Sequence, residues 1–281
     1  MKKMISNEVI IKRLCSRGYQ AHLTQVSKNG VILYGVVIHN PANQHIAPCI
    51  YINDILEVDD DLERIVDRIL KIYEKQKNFN FDISLLSNRS WVLEHTYIGL
   101  QRKTEDELIK KQCRFEDMEQ YLYLRNEDFE EGWSIKLNET LLVICGIDEN
   151  EVWDAGRKNT FSNNTKITRI GCYLNEVSSC AEFDGMDDML PLYVVTNRTG
   201  HLGSIQILDS IAINAWMNTL PNKPKMLLCI PSSVHEWLVV PMTSAPSEKE
   251  IEFYNSMVQE VNKENVPLQY QLGTHVYFMA C

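Results

Sequence analysis

The stretch AHLTQVSKNGVILYGVVIH, residues 21 to 39, most narrows what this chain can fold into. Asn29-Gly30 tolerates the positive φ values of a two-residue type I′ turn, and β-branched residues flank it on both sides, so an antiparallel hairpin is predicted. APCIYI, at 47 to 52, adds a third strand. From Asp60 the hydrophobic period changes. Leu62, Ile65, Val66, Ile69, Leu70 and Tyr73 fall at helical spacing, and Asp60 with Glu63 forms a capping-box-like start. A chain that switches between strand and helix periods in this way covers a sheet with helices, which defines an α+β class.

The same reading extends along the chain. Residues 7 to 17 form an opening helix with Ser6 or Asn7 as its cap and Gly18 as its stop. FDISLL and RSWVLEHTYIGLQ read as strands, TEDELIKKQ as a helix and MEQYLYLRN as a further strand. A strand at 133 to 137 leads into a short helix capped by Asn138 and ended by Gly146; Asp148 with Glu151 opens a second, with Trp153 facing inward. NTFSNNTK and EFDGMDDM are polar and bracket an irregular linker or surface loop at 161 to 189. Beyond it come strand LPLYVVTN, turn RTGHLG, and a helix near 205 to 219 presenting Leu208, Ile211, Ala212, Ala215 and Trp216. Strands KMLLCI and HEWLVVP, a helix at 246 to 262 and strand HVYFM complete a β-α-β-β-α-β order. The expected organisation is an N-terminal α+β portion at 1 to 160 and a C-terminal one at 190 to 281, with mixed, largely antiparallel sheets.

With 281 residues, 44% of them hydrophobic, the chain has a substantial core available. The net charge of −10 disfavours unaided attraction to nucleic acid or anionic lipid. RKTEDELIKKQCR, at 102 to 114, mixes both signs and reads as a solvated helix face. MKKMISNEVIIKRLC lacks the apolar block of a secretory signal, and no stretch has the length of a membrane span, so a cytoplasmic location without a membrane is expected. The N-x-S/T matches at Asn88, Asn138, Asn164 and Asn197 then read as chance. The eight cysteines contain no C-x2–4-C pair and read as reduced, mostly buried thiols. The acidic run EVDDDLE, at 57 to 63, lacks the oxygen-ligand spacing of a calcium loop and suits a positive helix terminus instead. No metal site and no cofactor are predicted.

One segment invites a chemical reading. LLCIPSSVHEWLVV, at 227 to 240, sets Ser233, His235 and Glu236 in an oily run. On an extended strand Ser233, His235 and Trp237 share one face while Val234 and Glu236 take the other, so the three polar residues make no local triad. The serine also lacks a G-x-S-x-G elbow. Pro231, Ser232 and Ser233 suit a tight turn, with hydroxyls bonding nearby backbone and His235 locking it; Glu236 either reaches water at the sheet's end or takes a buried partner, for which Arg198 and His201 are candidates. In TNRTGHLG, the residues Thr196, Asn197, Arg198 and Gly203 precede a helix whose amides would suit an anionic ligand, although a turn accounts for them more simply.

LPLYVVTNRTGHLGSIQIL and KMLLCIPSSVHEWLVVP, with CGIDENEVWDAGRKNT upstream and MVQEVNKENV downstream, resemble a bacterial domain-of-unknown-function family, DUF5688, over nearly the whole chain. The resemblance rests on Thr196-Asn197 after a strand, Gly203 before a helix and the Pro231 to Glu236 segment, and implies no activity. The expectation is a non-enzymatic accessory or regulatory protein whose partner is a protein or small ligand. The alternative is a hydrolase-like enzyme using Ser233 and His235 with an acid from the N-terminal half.

Overall fold

A computed structural model describes residues 5–41, 47–79, 81–125, 134–179, 183 and 191–280. His45, Cys180, Cys281 and, apart from Phe183, the EFDGMDDM run lie outside the described residues. The chain divides into two compact units, Met1–Leu85 and Leu86–Cys281.

In the first unit, strands β1 (Ala21–Lys28), β2 (Val31–Ile38) and β3 (Cys49–Tyr51) pair antiparallel in that order. Asn29 and Gly30 take φ values of 51° and 74°, as the type I′ turn requires. Helices α1 (Asn7–Ser16) and α3 (Leu62–Gln76) bring Ile10, Leu14, Ile65 and Ile69 against Val36, Ile38 and Ile50 in one buried cluster, and the short α2 (Asn53–Val58) adds Ile55. The predicted helix from Asp60 is present with its cap shifted by one residue. Asp61, not Asp60, is the N-cap, its carboxylate accepting the Arg64 amide at 3.0 Å. The acidic run is matched by arginines: Glu63 accepts from Arg13 Nε at 2.6 Å and also meets Arg17, while Asp59 faces Arg64 and Arg68.

The second unit contains α4 (Arg89–Glu94), β4 (Thr96–Arg102), β5 (Lys110–Gln112), β6 (Met118–Arg125), β7 (Ser134–Lys136), α5 (Glu139–Cys145) and α6 (Glu149–Phe161). It continues with β8 (Thr165–Arg169), α7 (Ile170–Ser178), β9 (Tyr193–Asn197), α8 (Ser210–Thr219), β10 (Met226–Pro231), β11 (Trp237–Met242), α9 (Glu248–Asn265) and β12 (Tyr277–Ala280). One sheet runs β4-β6-β5 with β7 also paired to β6; the other runs β12-β10-β11-β9-β8. Every strand pairing among the described residues is antiparallel, and the class is α+β.

Five local readings differ from the structure. FDISLL is a 3-10 turn at Ile83–Ser87, and RSWVLE is helix α4 running into β4. TEDELIKKQ is not a helix: 104 to 107 have no regular structure and Lys110–Gln112 pair with β6. The segment read as irregular, 161 to 189, contributes strand β8 and helix α7, and β8 pairs with β9 from Thr165↔Asn197 to Arg169↔Tyr193. In α8 the buried residues are Ile213 and Met217, whereas Ile211 is 83% exposed, because the helix begins at Ser210 after a 3-10 turn at Gly203–Leu208.

The five-stranded sheet is apolar on both faces. Leu227, Cys229, Trp237 and Val239 point into a core shared with Ile98, Leu122, Leu124 and Trp153. Leu228 packs on the other face with Val258 of α9, and Ile230, Val240 and Ile251 surround them. Within the larger core, α6 lies close on β4 and β6. A Cβ at Gly156 would sit 2.9 Å from Leu122 Cδ2 and 3.3 Å from Ile98 Cγ1 and Thr96 Cγ2. Gly156→Val is therefore expected to lower stability by about 2 kcal/mol through overpacking, measured by denaturant melts, despite valine's better helix propensity.

Candidate functional site

The sites suggested by the sequence converge at one end of the five-stranded sheet. β10 ends at Pro231 and β11 begins at Trp237, so residues 232 to 236 form a connection in which strand alternation does not operate. This corrects the expectation that Glu236 lies away from the serines. Its Oε1 accepts hydrogen bonds from Ser232 Oγ at 2.9 Å and Ser233 Oγ at 2.8 Å. The Ser233 amide donates to the Glu236 carbonyl at 3.1 Å, and the His235 amide donates to Ser233 Oγ at 3.0 Å. The carboxylate is thus held by the serine hydroxyls of its own turn, rather than by either candidate from the neighbouring turn, Arg198 or His201. Arg198 is exposed, and its amide donates to Asn164 Oδ1 at 3.3 Å.

Thr196, Asn197 and Gly203 pack against this turn. Thr196 Oγ1 donates to the His235 carbonyl at 2.8 Å. Asn197 folds over the TNRTGHLG turn, its Nδ2 donating to the His201 carbonyl at 2.7 Å and its Oδ1 accepting from the Thr199 amide and hydroxyl. Gly200 takes φ 68°, and Leu202 sits in the left-handed region at φ 50°. The Leu202 amide then donates to His235 Nδ1 at 3.1 Å, so a neutral imidazole carries its proton on Nε2. The Ser204 amide reaches the Val234 carbonyl, and the Val234 amide reaches the Tyr270 carbonyl at 2.8 Å.

The electrostatics follow from this packing. His235 is half-buried among the rings of His201 and Tyr270, at 5.2 and 5.3 Å between centroids. Burial pushes its pKa below the ordinary histidine value, and the Glu236 charge opposes that shift without reversing it. Tyr173 of α7 has its hydroxyl pushed up, first by burial and then by Glu236 and Glu176. Chemically, Ser233 is 7% exposed and its proton points to a carboxylate, while His235 Nδ1 receives a backbone amide.

Two features were not found by reading the sequence. Glu119 Oε1, buried on β6, accepts from Gln101 Nε2 at 2.9 Å, from the Thr104 amide and hydroxyl, and from Lys110 Nζ at 3.3 Å. Part of the mixed-charge run read as a solvated helix face therefore surrounds a buried carboxylate; its signal, acceptor and donors on separate strands, is invisible to local spacing. The second is a groove of about 310 Å³ lined by residues 114–117 and by His275, Tyr277 and Phe278. Its wall is braced by Tyr277, whose hydroxyl donates to Asp117 Oδ2 at 2.5 Å and whose ring packs edge-on to Phe115. Among the described residues no group of three or more His, Cys, Asp or Glu side chains is placed to hold a metal. No described helix is long and apolar enough to cross a membrane.

The geometry defines an α+β chain with a polar turn welded to the end of a two-faced antiparallel sheet. It belongs to a family of unknown function, DUF5688, whose model matches residues 2–280. Neither the curated proteins nor the solved structures contain a match.

Two measurements check the turn. A Cβ at Gly203 would fall 2.3 Å from Thr196 Oγ1, 2.6 Å from the Asn197 amide nitrogen and 2.8 Å from the His235 carbonyl oxygen. Gly203→Ala is expected to cost about 3 kcal/mol in a denaturant melt, since backbone atoms cannot give way. For His235, burial favours the neutral ring in the folded state, so its contribution is complete above the unfolded pKa of about 6.5 and is lost as pH falls through the lowered folded value. The melting-temperature gap between the wild type and His235→Ala should accordingly narrow as pH drops below about 6.5; a gap constant with pH would contradict the assignment.

Proposed function

We propose that this protein works by binding, as an accessory or regulatory factor of the bacterial cytoplasm whose partner is a protein or small ligand, and that the Ser233, His235 and Glu236 cluster is structural. The observation that carries this reading is where the hydrogens go. Serine hydrolysis needs a hydroxyl that donates to an imidazole, which is oriented in turn by an acid. In this chain Ser233 donates to Glu236, and His235 Nδ1 is occupied by the Leu202 amide. Ser233 Oγ and His235 Nδ1 both accept backbone amides in closing a turn whose backbone would otherwise be buried unpaired.

The hydrolase reading would require the hydroxyl to leave Glu236 and an acid to reach the imidazole from the N-terminal half. A serine-directed fluorophosphonate separates the two readings. Binding predicts no covalent adduct at Ser233 by intact-mass and peptide mass spectrometry, and Ser233→Ala and His235→Ala variants that melt a few degrees lower, as a loss of about 1–2 kcal/mol implies. A phosphonylated Ser233 that disappears in a fully stable His235→Ala variant would establish the enzyme instead.

A further inference from the structure

His22 and His39 stand together on the outer face of the three-stranded sheet, and we propose that they form a binding site for a divalent first-row transition-metal ion that prefers imidazole. The proposal goes beyond the reading of the Ser233 turn and concerns the first unit alone.

Strand register makes the pair. The two residues are 17 positions apart, so no spacing motif announces them; the hairpin at Asn29-Gly30 folds one strand back on the other until they meet. His22 lies opposite Val37, and the His39 amide, donating to the Gln20 carbonyl at 2.9 Å, extends the same ladder by one rung. The histidines are therefore diagonal neighbours across the hairpin, a separation that long side chains span. Ala21, Leu23 and Ile38, next to them in the chain, pack into the core built with α1 and α3. Alternation sends both histidines to the opposite face, and both are exposed.

Their contact has the dimensions of a chelate. His39 Nε2 lies 3.1 Å from His22 Nδ1 while the ring centroids are 5.0 Å apart, so these nitrogens are the near corners of the two rings. Two imidazole nitrogens bound to one ion at about 2.0–2.1 Å stand about 2.9 Å apart at a right angle and about 3.4 Å apart at the tetrahedral angle. The observed separation falls between these limits. Without an ion, one ring donates its proton to the other's lone pair. Water would serve either exposed ring nearly as well, so that bond adds little to stability. When an ion binds the neutral rings, the donor ring carries its proton on its other nitrogen, and two lone pairs meet the ion with no net loss of a proton. Among the described residues no third His, Cys, Asp or Glu side chain joins the pair. The remaining coordination positions thus belong to water, which leaves the site open to a ligand from outside. Imidazole donors without a carboxylate select copper, nickel or zinc over calcium or magnesium.

The test titrates the full chain with NiCl2 by calorimetry, in a reductant free of thiols. One saturable site is expected, with paramagnetic broadening of amide resonances centred on residues 20–22 and 37–39. His22→Gln and His39→Gln should each weaken Ni2+ binding about tenfold or more, since even partners outside the coordination shell cost that much. His95→Gln, in the second unit, should leave the affinity unchanged. Both histidines are exposed, so the metal-free variants should melt as the wild type does, which separates lost binding from lost fold. Unchanged affinity in either single variant, broadening centred elsewhere, or no saturable binding would overturn the proposal. None of these results bears on Ser233, so the two readings stand or fall separately.

Discussion

Leu227, Leu228 and Cys229 are consecutive, lie on one strand and are all fully buried. Neighbouring side chains of a strand leave opposite faces, so this run is compatible only with a sheet covered on both sides. That double cover organises the second unit. The four-stranded sheet and α6 supply one lid, and α9 supplies the other. Trp237, opposite Pro231 on the neighbouring strand, adds the largest fully buried side chain to the first of these layers and stacks on Phe115 at 4.9 Å.

Burial of both faces explains the polar turn at the sheet's end. A connection between two central strands cannot leave its amides and carbonyls to water, so each must find a protein partner. Thr196, Asn197, Ser232, Ser233, His235 and Glu236 supply those partners. The glycine at 203 is there because backbone and hydroxyl crowd the space a side chain would need. What resembles a catalytic constellation in one dimension is, in three, a set of caps for the same small volume.

Legibility from the sequence follows the range of the interactions involved. The hairpin at Asn29-Gly30, the caps at Asn138 and Asp148, and the stop at Gly146, which takes φ 61°, depend on residues two or three positions away and were readable. The break in the strands near Ser232 and Ser233 was signalled locally too, although Pro231 stays paired in β10 and the connection extends over 232 to 236. Thr104 and Lys110 were read as a helix surface because their partner, Glu119, sits on a different strand. Strand β8 was missed because Thr165 to Arg169 is polar and half-buried; it is held by its ladder to β9, with Thr165 Oγ1 also bonding Gln206 and Asp209. Glu236 escapes strand alternation because residues 232 to 236 have left the strand.

The bond between Tyr277 and Asp117 spans 160 residues, and that from Arg102 to the Leu268 carbonyl spans 166. Such closures offer nothing until most of the unit has been gathered, since the entropy of bringing the ends together comes before any contact rewards it. The second unit is therefore built to acquire order late and collectively. Contacts of such separation are expected to slow its folding, and until they form the oily strands on which both faces depend stand open to association with other chains.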